Sequence, residues 1–347
     1  MKSICFVHKD IGDIDRGGVC VLFKAIMAGL ISSEWKVSCI TQREFTMAGI
    51  DVTTLPATKD PILYSEMVSE VIEALVPNIV ECSNWKFELF DYSRRKKRFA
   101  KVVVRSDPSA TTLFGNELSN LSQFEKELCL NADMVLAVSE FAKKDIMRKY
   151  GLKDVKVIHN SIDTNTLFVP KLTNLPECID RNKINVFWCG KTTLMKGFDL
   201  LKELIAKSPD DVNWVLNIGN SIEEVASDGL EKENVVILNN LTRSDQINVW
   251  KNCNVFLSTS RVEGFGLALA EALALGLPTL VNDNCEVYKE FQPNSAIEYI
   301  DPSNIDNTLR KIRELSKNKV DLDRLNPEFH REHMIDESLK VYEMFLK

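Results

Sequence analysis

Two carboxylates, Glu263 and Glu271, stand eight positions apart around a loop that holds Gly264 and Gly266. Phe265 lies between the glycines, and Leu267 opens an apolar run that reads as a helix. Glycine lets a ligand approach the backbone closely. A helix start adds unpaired N–H groups and the positive end of its dipole, a ready seat for phosphate. Glu263 falls at the mouth of the loop, and Glu271 follows inside the apolar run. A buried carboxylate needs partners. Sugar hydroxyls supply them, because each carboxylate oxygen accepts hydrogen bonds. The bland alternative is a tight turn before a core helix, with Glu271 paired to a lysine.

A second loop runs from Gly190 to Gly197 and carries Lys191 and Lys196. Two lysines held there would neutralise a pyrophosphate. As a nucleotide diphosphate departs it gains negative charge, which fixed ammonium groups stabilise without a metal. Gly17 and Gly18, after Arg16, open another helix-like run, but the spacing is not G-x-G-x-x-G. Arg94, Arg95, Lys96, Lys97 and Arg98, with Lys101, crowd six cations into eight positions. Such a patch attracts anionic lipid headgroups or an anionic acceptor; a solvated helix end is the competing reading. His330 and His333 have ligand-like spacing without a third ligand, so no metal site is expected. His8 reads as structural or solvated, and Trp85 and Trp188 as packing residues.

These loops need a scaffold. Apolar runs at 3–7, 35–41, 78–82, 101–105, 134–138 and 155–159 read as strands, alternating with helix-like runs at 19–30, 66–75, 124–130 and 141–150. Residues 163–182 lack periodicity and read as a linker. The pattern then restarts, with strands at 186–190, 214–218, 235–238, 255–258 and 279–281 and helices at 198–206, 244–251 and 267–275. Residues 329–346 read as a last helix. Repeated βα units imply doubly wound α/β domains with parallel sheets. The expected division is 1–165, 166–328 and a terminal helix, 329–347, that packs back on the first domain. Both charged loops follow strands, at the sheet end where α/β proteins bind ligands.

Five features, in this order, resemble the retaining glycosyltransferase family four. They are the Gly17-Gly18 pair; Val138-Ser139-Glu140 before a helix ending Tyr150-Gly151-Leu152; the stretch from Val157 to Asp163; the Gly190–Gly197 loop; and the Glu263–Glu271 pair. The resemblance spans nearly the whole chain. It implies a GT-B fold, two Rossmann-like domains facing each other across a cleft. It implies that Glu271 hydrogen-bonds the ribose, and that Glu263 contacts the donor sugar. Lys191, Lys196 and the amides of Phe265, Gly266 and Leu267 would hold the diphosphate, with Gly17 and Gly18 closing on it. No cofactor and no metal would be required, and uridine is the default base. Partners would be a nucleotide-sugar donor and a glycan or lipid-linked acceptor. The chain departs from the family in having Lys191 where arginine is common, which loses a bidentate fork. His159-Asn160-Ser161 replaces Pro-Asn-Gly. Where the family often has a histidine, the chain has Arg105-Ser106-Asp107, so Arg105 or Asp107 is expected to fill that role. A GT-B epimerase or hydrolase, and a non-catalytic nucleotide-sugar-binding partner subunit, are the alternatives.

Composition narrows the classes. At 347 residues two domains are expected. With 45% hydrophobic and 27% charged residues the chain is not of disordered type. A net charge of −7 makes nucleic acid the least favoured acceptor. Nine cysteines, an odd number without C-x-x-C, fit reduced thiols in the cytoplasm. The longest apolar stretch, 265–281, is interrupted by Glu271, Gly276 and Pro278 and cannot span a bilayer. No targeting run is visible, so a cytoplasmic protein is expected, with any membrane contact peripheral.

Overall fold

The computed structural model describes residues 2–12, 17–115, 119–167, 176–219, 230–239, 241–317 and 325–347. The chain divides into two compact units, Met1–Ser161 with Arg331–Lys347, and Ile162–His330.

The first unit runs β1 (Ser3–Val7), α1 (Gly18–Ile31), β2 (Lys36–Thr41), β3 (Ile50–Thr54), α2 (Pro61–Leu75), β4 (Ile79–Ser83), α3 (Phe90–Arg94), β5 (Lys101–Ser106), α4 (Ala110–Phe114), α5 (Ser119–Asn131), β6 (Met134–Ala137), α6 (Glu140–Tyr150) and β7 (Lys156–Val157). The strand order is β3-β2-β1-β4-β5-β6-β7, and the pairings are parallel. Helices cover both faces, so the central strands are mostly apolar, with the buried Glu81 on β4 and Arg105 on β5 as the charged exceptions. Side chains alternate along β1. Ile4 and Phe6 enter a core with Phe23, Met334 and Tyr342, whereas Cys5 and Val7 enter the opposite core with Tyr64, Val80 and Val102.

Local chemistry sets the helix ends. Asp60 caps α2, accepting from the Ile62 and Leu63 amides, so α2 starts earlier than its apolar periodicity suggested. Ser139 caps α6, and Gly151 ends it in left-handed backbone at φ 75°. Helix Arg331–Met344 packs on α1 within this unit. The approach is tight: a Cβ on Gly29 would sit 2.6 Å from Cγ2 of Ile335. Strand β3 and helix α4 had no clear sequence signal. β3 is a half-exposed edge, and α4 has five residues.

The second unit holds α7 (Thr164–Leu167), β8 (Ile184–Gly190), α8 (Phe198–Lys207), β9 (Val212–Ile218), β10 (Val235–Leu238), α9 (Arg243–Asn252), β11 (Val255–Ser258), α10 (Leu267–Ala274), β12 (Thr279–Asn282), β13 (Ile297–Ile300) and α11 (Ile305–Leu315). Its order is β10-β9-β8-β11-β12-β13, again parallel. Trp188, Trp214, Leu216 and Leu257 lie at its core. The stretch expected as linker contains α7, and Cys178 and Ile179 are buried, with the Cys178 carbonyl accepting from Asn213 at 2.9 Å. Its residues 168–175 lie outside the described residues. Both folds are doubly wound α/β, as the alternation of elements implies.

All nine cysteines are free, eight of them buried. Among the described residues no helix is long and apolar enough to cross a membrane.

Candidate functional site

In the second unit β8 and β11 are sheet neighbours, and the connectivity reverses between them. Loops leaving the carboxyl ends of such a strand pair flank a crevice. The loop after β8 is 191–197, and the loop after β11 is 259–266. They touch through backbone. Gly197 is left-handed at φ 64°, and an added Cβ would lie 2.0 Å from the Thr259 carbonyl oxygen, so no side chain fits. The Thr259 hydroxyl accepts from Trp188 Nε1 at 3.1 Å and donates to the Lys196 carbonyl at 2.9 Å. Arg261 grips Asp199 with two bonds, at 2.6 and 2.7 Å, and donates to the Leu194 carbonyl. The two loops are thus one braced structure.

Both charged residues of interest are held within it. Lys196 Nζ donates to Glu263 Oε1 at 2.6 Å, and the Ser260 hydroxyl donates to the same oxygen at 2.8 Å. The pair is only partly screened by solvent, at 22% and 15% side-chain exposure. Burial works against the Lys196 charge, but the Glu263 carboxylate outweighs it and holds the ammonium above the usual lysine range. On α10, Glu271 accepts from Arg243 at 2.5 Å. Burial raises its carboxyl above the ordinary range, and Arg243 opposes that rise. Leu267, Ala268 and Glu271 form the partly exposed face of α10. Its first-turn amides have no intrahelical acceptors. Gly266 caps it at φ 101°, where a Cβ would meet the Tyr288 ring at 2.8 Å.

One group shows that these charges converge. The Cys189 thiol, at the end of β8, is pushed up to about 12. Burial is the main cause; Glu271 and Glu263 add to it, while Lys196 and Arg243 oppose it. The two ion pairs, Lys196 with Glu263 and Arg243 with Glu271, therefore both act on the end of that strand. Lys191, on the same loop, is exposed. Gly190 accepts from the Gly219 amide at 3.0 Å. The Phe265 ring is packed between Phe291 and Phe329, at 5.2 and 5.0 Å, so only its backbone is placed to meet a ligand; Gly264 beside it is partly exposed.

The expected residues of the first unit fare unevenly. Gly17 caps α1 at φ 108°, and nothing among the described residues lies within 4 Å of a Cβ added there; Gly18 is the first helical residue. Arg16 lies outside the described residues. Arg105 is not an acceptor-side group. It is 1% exposed, donates to Glu81 at 2.7 Å and to the Ser338 hydroxyl at 3.0 Å, and thereby ties the C-terminal helix to the sheet. Alternation along β5 turns its side chain into the core beneath that helix. Asp107 is partly exposed, its amide bonded to Asn84. The cationic run is largely neutralised by neighbours that the local sequence did not reveal. Arg94 pairs with Glu127, Arg95 with Asp91 and Glu73, and Arg98 and Lys101 with Asp133. Lys96 and Lys97 are exposed, beside Phe99 at 74% exposure.

Arg243, Ser260 and Tyr288 were not singled out as site residues by sequence, and Arg261, which opens the Glu263 motif, carried no assigned role. Arg243 carried a signal: it follows Thr242, which caps α9, and it supplies the cation that a carboxylate inside an apolar helix requires.

The chain belongs to the GT-B glycosyltransferases of family-four type. Residues 17–166 match the model of Glycosyltransferase Family 4, and residues 177–332 that of Glycosyl transferases group 1. An uncharacterized 41.2 kDa protein of the cps region of Klebsiella pneumoniae is 29% identical over 165 residues, 46% of this chain and 45% of that protein. Lipopolysaccharide 1,6-galactosyltransferase of Salmonella typhimurium is 26% identical over 235 residues, 62% of this chain and 58% of that protein. The chain spans about half the length of the curated relatives it matches. Sucrose-phosphate synthase of Thermosynechococcus elongatus has a similar fold, with a TM-score of 0.82 at 16% identity, covering 100% of this chain and 99% of that one. HepE of Anabaena, solved with UDP and glucose, gives 0.77 at 16% identity, covering 99% and 100%.

Proposed function

We propose that this chain is a retaining glycosyltransferase that moves a sugar from a nucleotide diphosphate donor, UDP by default, onto a glycan, lipid-linked or other anionic acceptor, without a metal. The observation that carries this reading is the gathering of Glu263, Lys196, Glu271 and the start of α10 at the end of β8. Similar proteins support it: HepE is solved with UDP-glucose, and one relative is a lipopolysaccharide galactosyltransferase.

In this reading Glu271 exchanges Arg243 for the ribose hydroxyls. Lys191, Lys196 and the amides of Phe265, Gly266 and Leu267 hold the diphosphate. As the bond from the sugar to phosphate breaks, charge grows on the phosphate oxygen, and fixed ammonium groups already in place stabilise it. The acceptor hydroxyl passes its proton to that departing oxygen on the same face, which retains configuration. Glu263 orients Lys196 and contacts the sugar hydroxyls. Asp107 is the remaining candidate for an acceptor-side role, and Lys96, Lys97 and Phe99 would make any peripheral contact with an anionic membrane.

The test is turnover of a panel of nucleotide sugars with and without acceptors. Slow donor hydrolysis that accelerates with an acceptor supports the transferase. An isomerised nucleotide sugar would point to an epimerase, and binding without turnover to a partner subunit. A strict need for a divalent metal, seen as loss of activity with chelator, would contradict the role of the lysines.

A further inference from the structure

The first sheet has its own reversal of connectivity, between β1 and β4. The residues leaving those two strands carry a second cluster of charge. Behind the sheet end, the buried pair His8 and Glu88 lie 3.0 Å apart, and Glu88 also accepts from the Lys9 amide at 2.8 Å. In front, Asp10 accepts from Lys86 at 2.7 Å and from Arg43 at 3.4 Å. Lys86 and Arg43 are thus two cations on one partly exposed carboxylate, and Lys9, one residue before Asp10, adds a third to the cluster. Burial, and then the Lys86 ammonium, hold Lys9 below the usual lysine range.

The cluster is rigidly supported. The Thr41 hydroxyl donates to the Ile11 carbonyl at 2.5 Å and accepts from the Arg43 amide at 3.2 Å. A Cβ on Gly12 would press on the Arg43 side chain at 3.1 Å. Lys86 and Phe87 are consecutive left-handed residues, at φ 64° and 43°. That conformation is costly for side chains other than glycine and persists where surroundings hold it, often at ligand sites. One donor there lacks a partner among the described residues, the buried Arg43 Nε.

We propose that Lys9, Arg43 and Lys86 bind a phosphate group carried by the acceptor, a deepening that rests on the transferase reading above. An excess of cations with a spare donor, at a sheet's reversal point, suits a compact anion with several acceptor oxygens.

The test is titration of the full chain with inorganic phosphate while UDP saturates the other unit. Saturable binding is expected, weakened at least about ten-fold in Lys86→Asn and in Arg43→Gln. Asparagine tolerates left-handed backbone, so Lys86→Asn keeps the loop. Lys153→Ala, an exposed charge of the same unit, should leave phosphate affinity unchanged. Equal affinity in all four proteins, acetate binding as tightly as phosphate, or no saturable binding would overturn the proposal. UDP affinity, measured in the same proteins, separates the two readings. If UDP fails to bind, the donor site falls while the phosphate titration still reads this cluster.

Discussion

Glu263 and Glu271 look alike in the sequence, but their surroundings assign them different work. Glu271 is paired with an arginine that is 42% exposed, which in the proposed reading a ribose displaces. Glu263 holds the Lys196 ammonium, which in the proposed reading faces the leaving phosphate. Glu271→Ala is therefore expected to weaken UDP binding about ten- to a hundred-fold by calorimetry, the worth of a charge-assisted bond. Glu263→Gln is expected to lower kcat about a hundred-fold while leaving UDP affinity within about three-fold. The reverse pattern would exchange their roles. A third carboxylate, Glu125, has no part in that chemistry but sets a pH dependence. Burial raises it to about 7, against the pull of the Tyr150 hydroxyl and the Ala110 amide that it accepts from. The folded state therefore keeps a proton that the unfolded chain releases near its ordinary 4.5. Stability is full below that ordinary value and falls as pH rises toward about 7, by roughly 3 kcal/mol. Glu125→Gln keeps an acceptor oxygen and removes the titration. Denaturant melts should show the variant more stable than the parent at pH 8 and no such gain at pH 4.

At the scale of elements, the loops after β8 and β11 depend on glycines chosen for contact as well as for conformation. Gly197 and Gly151 both have left-handed backbone, but only Gly197 faces a neighbour, the Thr259 carbonyl; nothing lies within 4 Å of a Cβ on Gly151. Gly151→Ala is expected to cost about 1 kcal/mol, and Gly197→Ala about 2–5 kcal/mol with loss of UDP binding. Equal costs would mean that the two loops do not brace each other. Elements were legible where apolar residues alternate with clear breaks, as in β1, β4, β8 and β11. They were not in α4, which has five residues, or in β3 and β13, half-exposed strands with little apolar signal, although the edge strands β7 and β10 were legible. Helix α11 was also missed, although Ile305, Leu309 and Ile312 form a regular buried stripe.

At the scale of the molecule, a ligand held by one unit should stabilise that unit. UDP at a hundred times its Kd contributes about 2.7 kcal/mol. For residues 162–330 that is a rise in Tm of about 5–10 °C. Differential scanning calorimetry checks it. A shift with another nucleoside diphosphate and none with UDP would change the base, and no shift with any would remove the donor site. The acidic total of the chain conceals local reversals of sign, at Lys9, Arg43 and Lys86, and at Lys96 and Lys97. Composition alone does not show where a protein attracts anions, since it averages over surfaces that lie far apart.

Residue order alone was enough for the doubly wound α/β class, the two loops after β8 and β11, and the carboxylates and lysines on them. Apolar periodicity and glycine spacing are local properties, and they survive reading in one dimension. Folding in three dimensions settled which charges meet. It buried Arg105 against Glu81 and Ser338, neutralised most of the run from Arg94 to Arg98 with acids from other elements, and gave Glu271 its arginine. Those outcomes follow from distances across the fold, where Coulomb attraction and desolvation act between residues far apart in the chain.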